Sequence, residues 1–224
     1  MKKAFTLLEL LICISIIALL AAIIFPVFKS IKLSAYKTQS ISNIKQLGIA
    51  WKSYSEDYDD ALMSNVSNWK YWFGDDKGSI LDSYVKLKII KDPSTSFIQH
   101  KAPSYYPGYS YNYYLSPYDD YGKPITIYYY QISNTSNTVV FATSFGLFNV
   151  NKKDDYYAPM ILYSPSMYFP TYFAPYNGSG TIIWADLHST SRIPNYYNVR
   201  FKKYNLGTID SDGLSNTDEL FDLE

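Results

Sequence analysis

Residues 4–28 read AFTLLELLICISIIALLAAIIFPVF, and this run between Lys3 and Lys29 decides the fold. It carries one charged side chain, Glu9, and is otherwise apolar or small enough to sit in lipid. A helix needs about 20 apolar residues to cross a hydrocarbon layer roughly 30 Å thick, and this run meets that length. A cleaved secretory signal has a shorter apolar core and a small-x-small site after it, so a membrane anchor fits better. Lys2 and Lys3 precede the span while Lys29, Lys32 and Lys37 follow it, so the flanking charge does not fix its orientation.

Glu9 is the informative exception. A carboxylate at the centre of a span costs roughly 2.5–3.5 kcal/mol, less towards its end, and usually persists because something pairs with it. A free α-amino group would serve. If the chain were cut between Ala4 and Phe5, the new amine would lie one helical turn from Glu9, on its own chain or on a neighbour. In low dielectric that attraction is far stronger than in water. An unpaired glutamate reaching for the headgroups is the plainer alternative.

The string KKA followed by FTLLELL resembles the class III signal of bacterial type IV pilins and type II secretion pseudopilins. The resemblance implies that a membrane prepilin peptidase cuts after Ala4 and methylates Phe5. It implies too that Glu9 aligns each incoming subunit on its neighbour. Ala4 stands where the family usually has Gly, a departure in residue but not in size. Pro26 also matches the family, in which that proline helps subunits pack along a filament core.

Beyond the span, Ile31, Ala35, Ile41, Ile44, Leu47, Trp51 and Tyr54 recur at helical steps with Lys32, Lys37, Lys45 and Lys52 between them. One helix from Phe5 to about Tyr58 is expected, roughly 80 Å long at ~1.5 Å per residue. Pro26 inside it predicts a kink or local unwinding. After SEDYDDA the helical period stops. GSILDSYVKLKII reads as a short helix, and APSYYPGYSYNYYLSPYDDYGKP as turns and irregular loop holding a tyrosine-rich surface. ITIYYYQI, TVVFATSF, APMILYS, GTIIWADLHS and NVRFKKY read as strands. The expected fold class is α+β: a long kinked amino-terminal helix packed on a small antiparallel β-sheet. The expected divisions are a leader, 1–4; an assembly half of the helix, 5–28; its amphipathic half, 29–58; and a globular β domain, 59–224.

SNIKQLGIAWKSYSEDYDD, YVKLKIIKDPS, YSYNYYL and WADLHS further resemble a subgroup of environmental pilin-like proteins carrying His, nine residues, then Asp-Gly-His. Here Tyr176 replaces the first His and Leu187 the Gly, while Asp186 and His188 remain, so the motif reads as a strand-turn device.

Composition excludes more than it assigns. Twenty basic and twenty acidic side chains give a net charge of +0, so no global field points to nucleic acid, except in a DNA-uptake role. Cys13 is the one cysteine, which rules out an intramolecular disulfide and a cysteine metal site. His100 and His188 are the two histidines, and no serine has the glycines of a nucleophile elbow, so no catalytic residue is assigned and the chain is not expected to be an enzyme. The 25 tyrosines suit β-structure and half-wet surfaces, and a rival reading is a monomeric anchored module that binds glycan or DNA through them.

Near the carboxyl end, GTIDSDGLSNTDELF places Thr208, Asp210, Asp212, Gly213, Leu214, Asn216 and Glu219 at places 1, 3, 5, 6, 7, 9 and 12 of a calcium loop, residues 208–219. Oxygen donors at that spacing wrap a hard cation, the glycine permits the sharp turn, and the glutamate closes the shell. The loop resembles the EF-hand-like loops of secreted proteins, with Thr208 where Asp usually stands, and one calcium ion is expected. The implied partners are copies of this chain or other pilin-family members in a helical filament. The implied location is the inner, cytoplasmic membrane as a single-pass precursor, then a periplasmic or extracellular pilus.

Overall fold

The structure, a computed structural model, describes residues 6–67, 70–73, 78–86, 91–97, 108–119, 122–147, 156–157, 161–162, 172–195 and 206–207. Its first element is α1, Leu7–Asp57, a single helix about 76 Å long at ~1.5 Å per residue. The helix continues through Pro26 as one element, so the unwinding expected there does not occur. It ends where Asp59 and Asp60 take left-handed backbone angles (φ 53° and 62°) and the Asp60 amide donates back to the Ser55 carbonyl at 2.8 Å.

Eleven short strands follow among the described residues. β1 (Val66–Ser67) pairs with β2 (Lys70–Tyr71), β5 (Gly146–Leu147) with β6 (Tyr156–Tyr157), and β8 (Tyr172–Phe173) with β11 (Leu206–Gly207). The main sheet holds β3 (Tyr109–Asn112), β4 (Val139–Thr143), β7 (Ile161–Leu162), β9 (Gly180–Trp184) and β10 (Ser189–Arg192), in the order β10-β9-β4-β3-β7. Every pair in it is antiparallel except β3 with β7, which is parallel at the edge. This α+β layout, a long helix laid on a small antiparallel sheet, agrees with the sequence.

The core forms where the second half of α1 meets the sheet. Ile44, Leu47 and Trp51 are fully buried against Tyr109, Tyr111, Phe141 and Ile183. A register shift between Val139 and Phe141 turns two successive residues, Val140 and Phe141, into that cluster. The opposite face packs Val139, Ala142, Ile182 and Trp184 around Leu162 and Tyr172. Both central strands, β4 and β9, are therefore buried along their whole length.

Three sequence expectations fail for physical reasons. YSYN at 109–112 is the strand β3 and not irregular loop, with Tyr109 and Tyr111 wholly inside. Ser110 and Asn112 are satisfied by Ser144 at 2.7 Å and the Val139 carbonyl at 2.8 Å, so turn-forming residue types lie comfortably in a buried strand. ITIYYYQI makes one bridge, Ala61 with Tyr128, then a 3₁₀ turn at Tyr129–Gln131, because the Gln131 side chain accepts the Tyr128 amide at 2.7 Å and closes the chain locally. The expected helix after Gly78 is a turn, where Asp82 accepts the Ser79 amide at 2.7 Å. TVVFATSF, APMILYS and GTIIWADLHS supply β4, β7 and β9. NVRFKKY lies outside the described residues.

Candidate functional site

The amino-terminal end of α1 is built by two side chains. Thr6 is the cap: its hydroxyl accepts the Glu9 amide at 3.2 Å, and Glu9 returns the bond, its Oε2 accepting the Thr6 amide at 2.9 Å and the Thr6 hydroxyl at 2.8 Å. This reciprocal box satisfies donors that a helix start leaves open and places negative charge at the positive end of the helix dipole. Glu9 is thus held at the tip of the helix. Thr6 was not picked out by sequence reasoning, although Thr-Leu-Leu-Glu is itself the signature of a capping box.

Between this cap and Phe28 the helix is uncovered. Leu7, Leu8, Leu11, Ile17, Leu20 and Phe25 are exposed, as is Cys13, and a window of mean hydropathy 3.0 is long and apolar enough to cross a membrane. An apolar helix in this position is consistent with membrane anchoring. The uncovered stretch extends past the span: Ile31 and Ala35, which the periodicity assigned to the apolar face, are exposed, and Ser40 is the first fully buried residue.

Ser40 meets an unanticipated polar centre. The buried Asp92 carboxylate accepts the hydroxyls of Ser40 and Ser94, the Ser94 amide at 2.8 Å and the Tyr176 hydroxyl at 2.5 Å. Burial pushes the Asp92 carboxyl up from its usual range, against the lowering effect of those hydrogen bonds. Tyr109 and Tyr176, facing the same group, are raised by burial too. Nothing in the pattern of KDPSTS announced this centre, because Ser40 comes from α1 and Tyr176 from a turn far along the chain.

The Asp186–His188 element is a strand-turn device, as expected. Leu187 occupies the left-handed region (φ 68°) that favours glycine, and its amide donates to the Trp184 carbonyl at 2.9 Å. His188 stacks on Trp184, and its Nδ1 lies 2.5 Å from Asp186 Oδ1, so the pair closes the β9–β10 hairpin. Ala4, Phe5, His100 and the loop residues Thr208, Asp210, Asp212, Gly213, Leu214, Asn216 and Glu219 lie outside the described residues. Among the described residues no cluster of three His, Cys, Asp or Glu side chains could hold a metal ion.

Residues 1–25 match the family model of the prokaryotic N-terminal methylation motif. The match supports a type IV pilin-like prepilin, a structural class of protein generally processed by prepilin peptidase and assembled with pilin-family members. No curated protein and no solved structure matches the chain.

Proposed function

We propose that this chain is the precursor of a structural subunit of a type IV pilus or pseudopilus. Prepilin peptidase cuts it after Ala4 and methylates the Phe5 amine. The subunit waits in the inner membrane and then joins a helical filament of copies or other pilin-family members, in the periplasm or outside the cell. The observation that supports this reading best is the uncovered apolar stretch of α1 from Leu7 to Phe28, whose one acidic side chain, Glu9, is held at its tip. Alone, the helix has only lipid to cover it; in a filament, neighbouring helices take over that role, with small side chains and Pro26 at the contacts.

Glu9→Gln tests the reading without destroying the cap, because a glutamine at that position still accepts from Thr6. The variant should insert at least as well as the parent, since a costly carboxylate is gone, and should yield far fewer filaments. Mass spectrometry of sheared surface material should find a methylated Phe5 terminus. Normal filaments from Glu9→Gln, or an intact Met1 terminus, would overturn the proposal. A monomeric module binding through tyrosines would be indifferent to Glu9, and four tyrosines it could have used, Tyr109, Tyr111, Tyr172 and Tyr176, are buried.

The loop at 208–219 is part of this proposal as a single calcium site, with Thr208, Asp210, Asp212, Leu214, Asn216 and Glu219 as ligands. Its affinity should be that of extracellular modules, on the order of 10⁻⁴ to 10⁻³ M. Millimolar calcium should then raise the melting temperature by an amount equivalent to about 1 kcal/mol relative to chelator, and Asp212→Ala should abolish the difference. Equal midpoints in calcium and chelator would remove the site.

A further inference from the structure

Charge along α1 is segregated in a way that neither the span nor the core requires. From Leu10 to Ser55 the sequence has no carboxylate, and its charges are Lys29, Lys32, Lys37, Lys45 and Lys52; Glu56, Asp57, Asp59 and Asp60 then follow together. Lys29, Lys32 and Lys37 stand on a stem of helix after the span and before Ser40, where the sheet first covers α1; Lys29 and Lys32 are exposed, Lys32 over the Tyr36 ring, and Lys37 is half-buried. The carboxylates form a collar at the other end, all of it exposed. That is the end of a helix where negative charge is least favourable, and no basic residue occupies the last turn to offset it. Asp60 is paired with Lys52 at 3.7 Å and Asp57 accepts the Tyr84 hydroxyl at 2.8 Å. The side chains of Glu56 and Asp59 make no ion pair or hydrogen bond with any described residue, and neither do those of Lys29 and Lys37.

Stem and collar of one molecule cannot neutralise each other. Asp57 is twenty residues from Lys37, about 30 Å along the axis, and charges that far apart are screened at a Debye length of roughly 8 Å. A second parallel copy shifted by about 30–40 Å brings them together.

We infer that the collar of one subunit, Glu56, Asp57 and Asp59, docks on the lysine stem, Lys29, Lys32 and Lys37, of another copy further along the filament. The inference rests on the filament reading. A Glu9 to Phe5 contact relates copies offset by only about 6 Å, four residues of helix rise, so collar and stem tie subunits several steps apart. The same lysines lie beside the span at headgroup level in the precursor, and leaving the membrane exchanges one anionic surface for another.

The test uses the full chain in cells that assemble it. Three variant sets are compared with the parent: Glu56→Lys with Asp59→Asn in the collar, Lys32→Glu with Lys37→Glu in the stem, and all four together. Asparagine tolerates the left-handed angle at 59. Sheared filament per mature membrane-held subunit should fall roughly tenfold or more in each single set, because like charges then face each other. The combined set should return to within about threefold of the parent, as complementary charge is restored. A silent collar set, or a combined set no better than its worse half, overturns the inference and leaves the filament reading standing. Loss of subunit from the membrane in the stem set alone, with the collar silent, assigns the lysines to headgroups only. Absence of filaments from the parent overturns both readings. Should a reversed collar fail to fold, as protease sensitivity would reveal, Glu56→Gln with Asp59→Asn substitutes: parent filaments should dissociate faster at about 1 M salt, and those of the neutral variant should show little dependence on salt. Equal salt dependence in the two overturns the inference.

Discussion

The two halves of α1 are one helix in two solvents. From Leu7 to Gln39 no described side chain is buried, although most are apolar; from Ser40 to Asp57 nearly every second residue is buried, although several are polar. Apolarity alone therefore does not decide what the chain covers. The second half presents one apolar stripe with lysines and serines around it, which a small sheet is able to cover. The first half is apolar all round as far as Phe28, and no sheet of five short strands could enclose that stretch. Its cover has to come from lipid or from other helices.

Removing the apolar stretch of the first half, up to Phe28, should have the largest effect and leave the second half untouched. A chain beginning at Lys29 is expected to be soluble, folded and monomeric at micromolar concentration by sedimentation, with no membrane-bound fraction. Persistent oligomers would show that the sheet side associates without the span and would break the contrast. Within that chain, Trp51→Ala should lower unfolding free energy by about 3–5 kcal/mol, since a fully buried indole leaves a cavity. It also strips Tyr111 of the indole N–H that its hydroxyl accepts at 3.1 Å. In the full chain, Leu11→Ala removes an exposed side chain and should not move the domain's melting temperature.

How much of this was readable in advance follows the same division. In the first half the long apolar helix was legible, because a continuous apolar run is a local signal, while its unbroken course through Pro26 was not. The second half was read as a helix with the correct stripe, but not where its cover begins: Ile31 continues the period and is exposed because no strand reaches it. The strands were read by residue type. TVVFATSF succeeded because β-branched and aromatic residues fill a buried strand, whereas YSYN failed because its serine and asparagine are satisfied by residues distant in sequence, Ser144 and the Val139 carbonyl, that residue type does not announce. Asp92 was missed because two of its donors, Ser40 and Tyr176, lie 52 and 84 residues away in sequence.

A smaller effect probes how closely the second half is fitted. A Cβ added at Gly48 would lie 2.6 Å from Ile183 Cγ1, on a β-branched side chain buried in β9. Overpacking costs roughly 1–3 kcal/mol, and alanine returns about 1 kcal/mol of helix propensity. Gly48→Ala should therefore destabilise by about 1 kcal/mol, read as a lower midpoint in urea with an unchanged slope. A stabilised variant would mean that the helix rides on the sheet with room to spare.

The finest test addresses the boundary itself, where Ser40 hands its hydroxyl to Asp92. Burial raises the Asp92 pKa in the folded chain above the unfolded value near 3.9, so the folded state holds a proton that the unfolded state gives up. Between those two pKa values the folded state binds more protons, and stability must fall as pH rises through that window. The contribution is complete below about pH 4 and is lost as pH climbs through the raised folded pKa. One proton supplies at most about 1.4 kcal/mol per pH unit, set against the opposing slopes of ordinary surface carboxylates. Asp92→Asn removes this titration while keeping the shape of the side chain. The informative quantity is the melting temperature of the chain beginning at Lys29 minus that of the same chain with Asp92→Asn. On acidification from pH 7 to pH 4 that difference should move in favour of the parent. Parallel profiles would mean that Asp92 does not titrate across this range, and that four hydrogen-bond donors suffice to hold its charge at the point where the covered half of the helix begins.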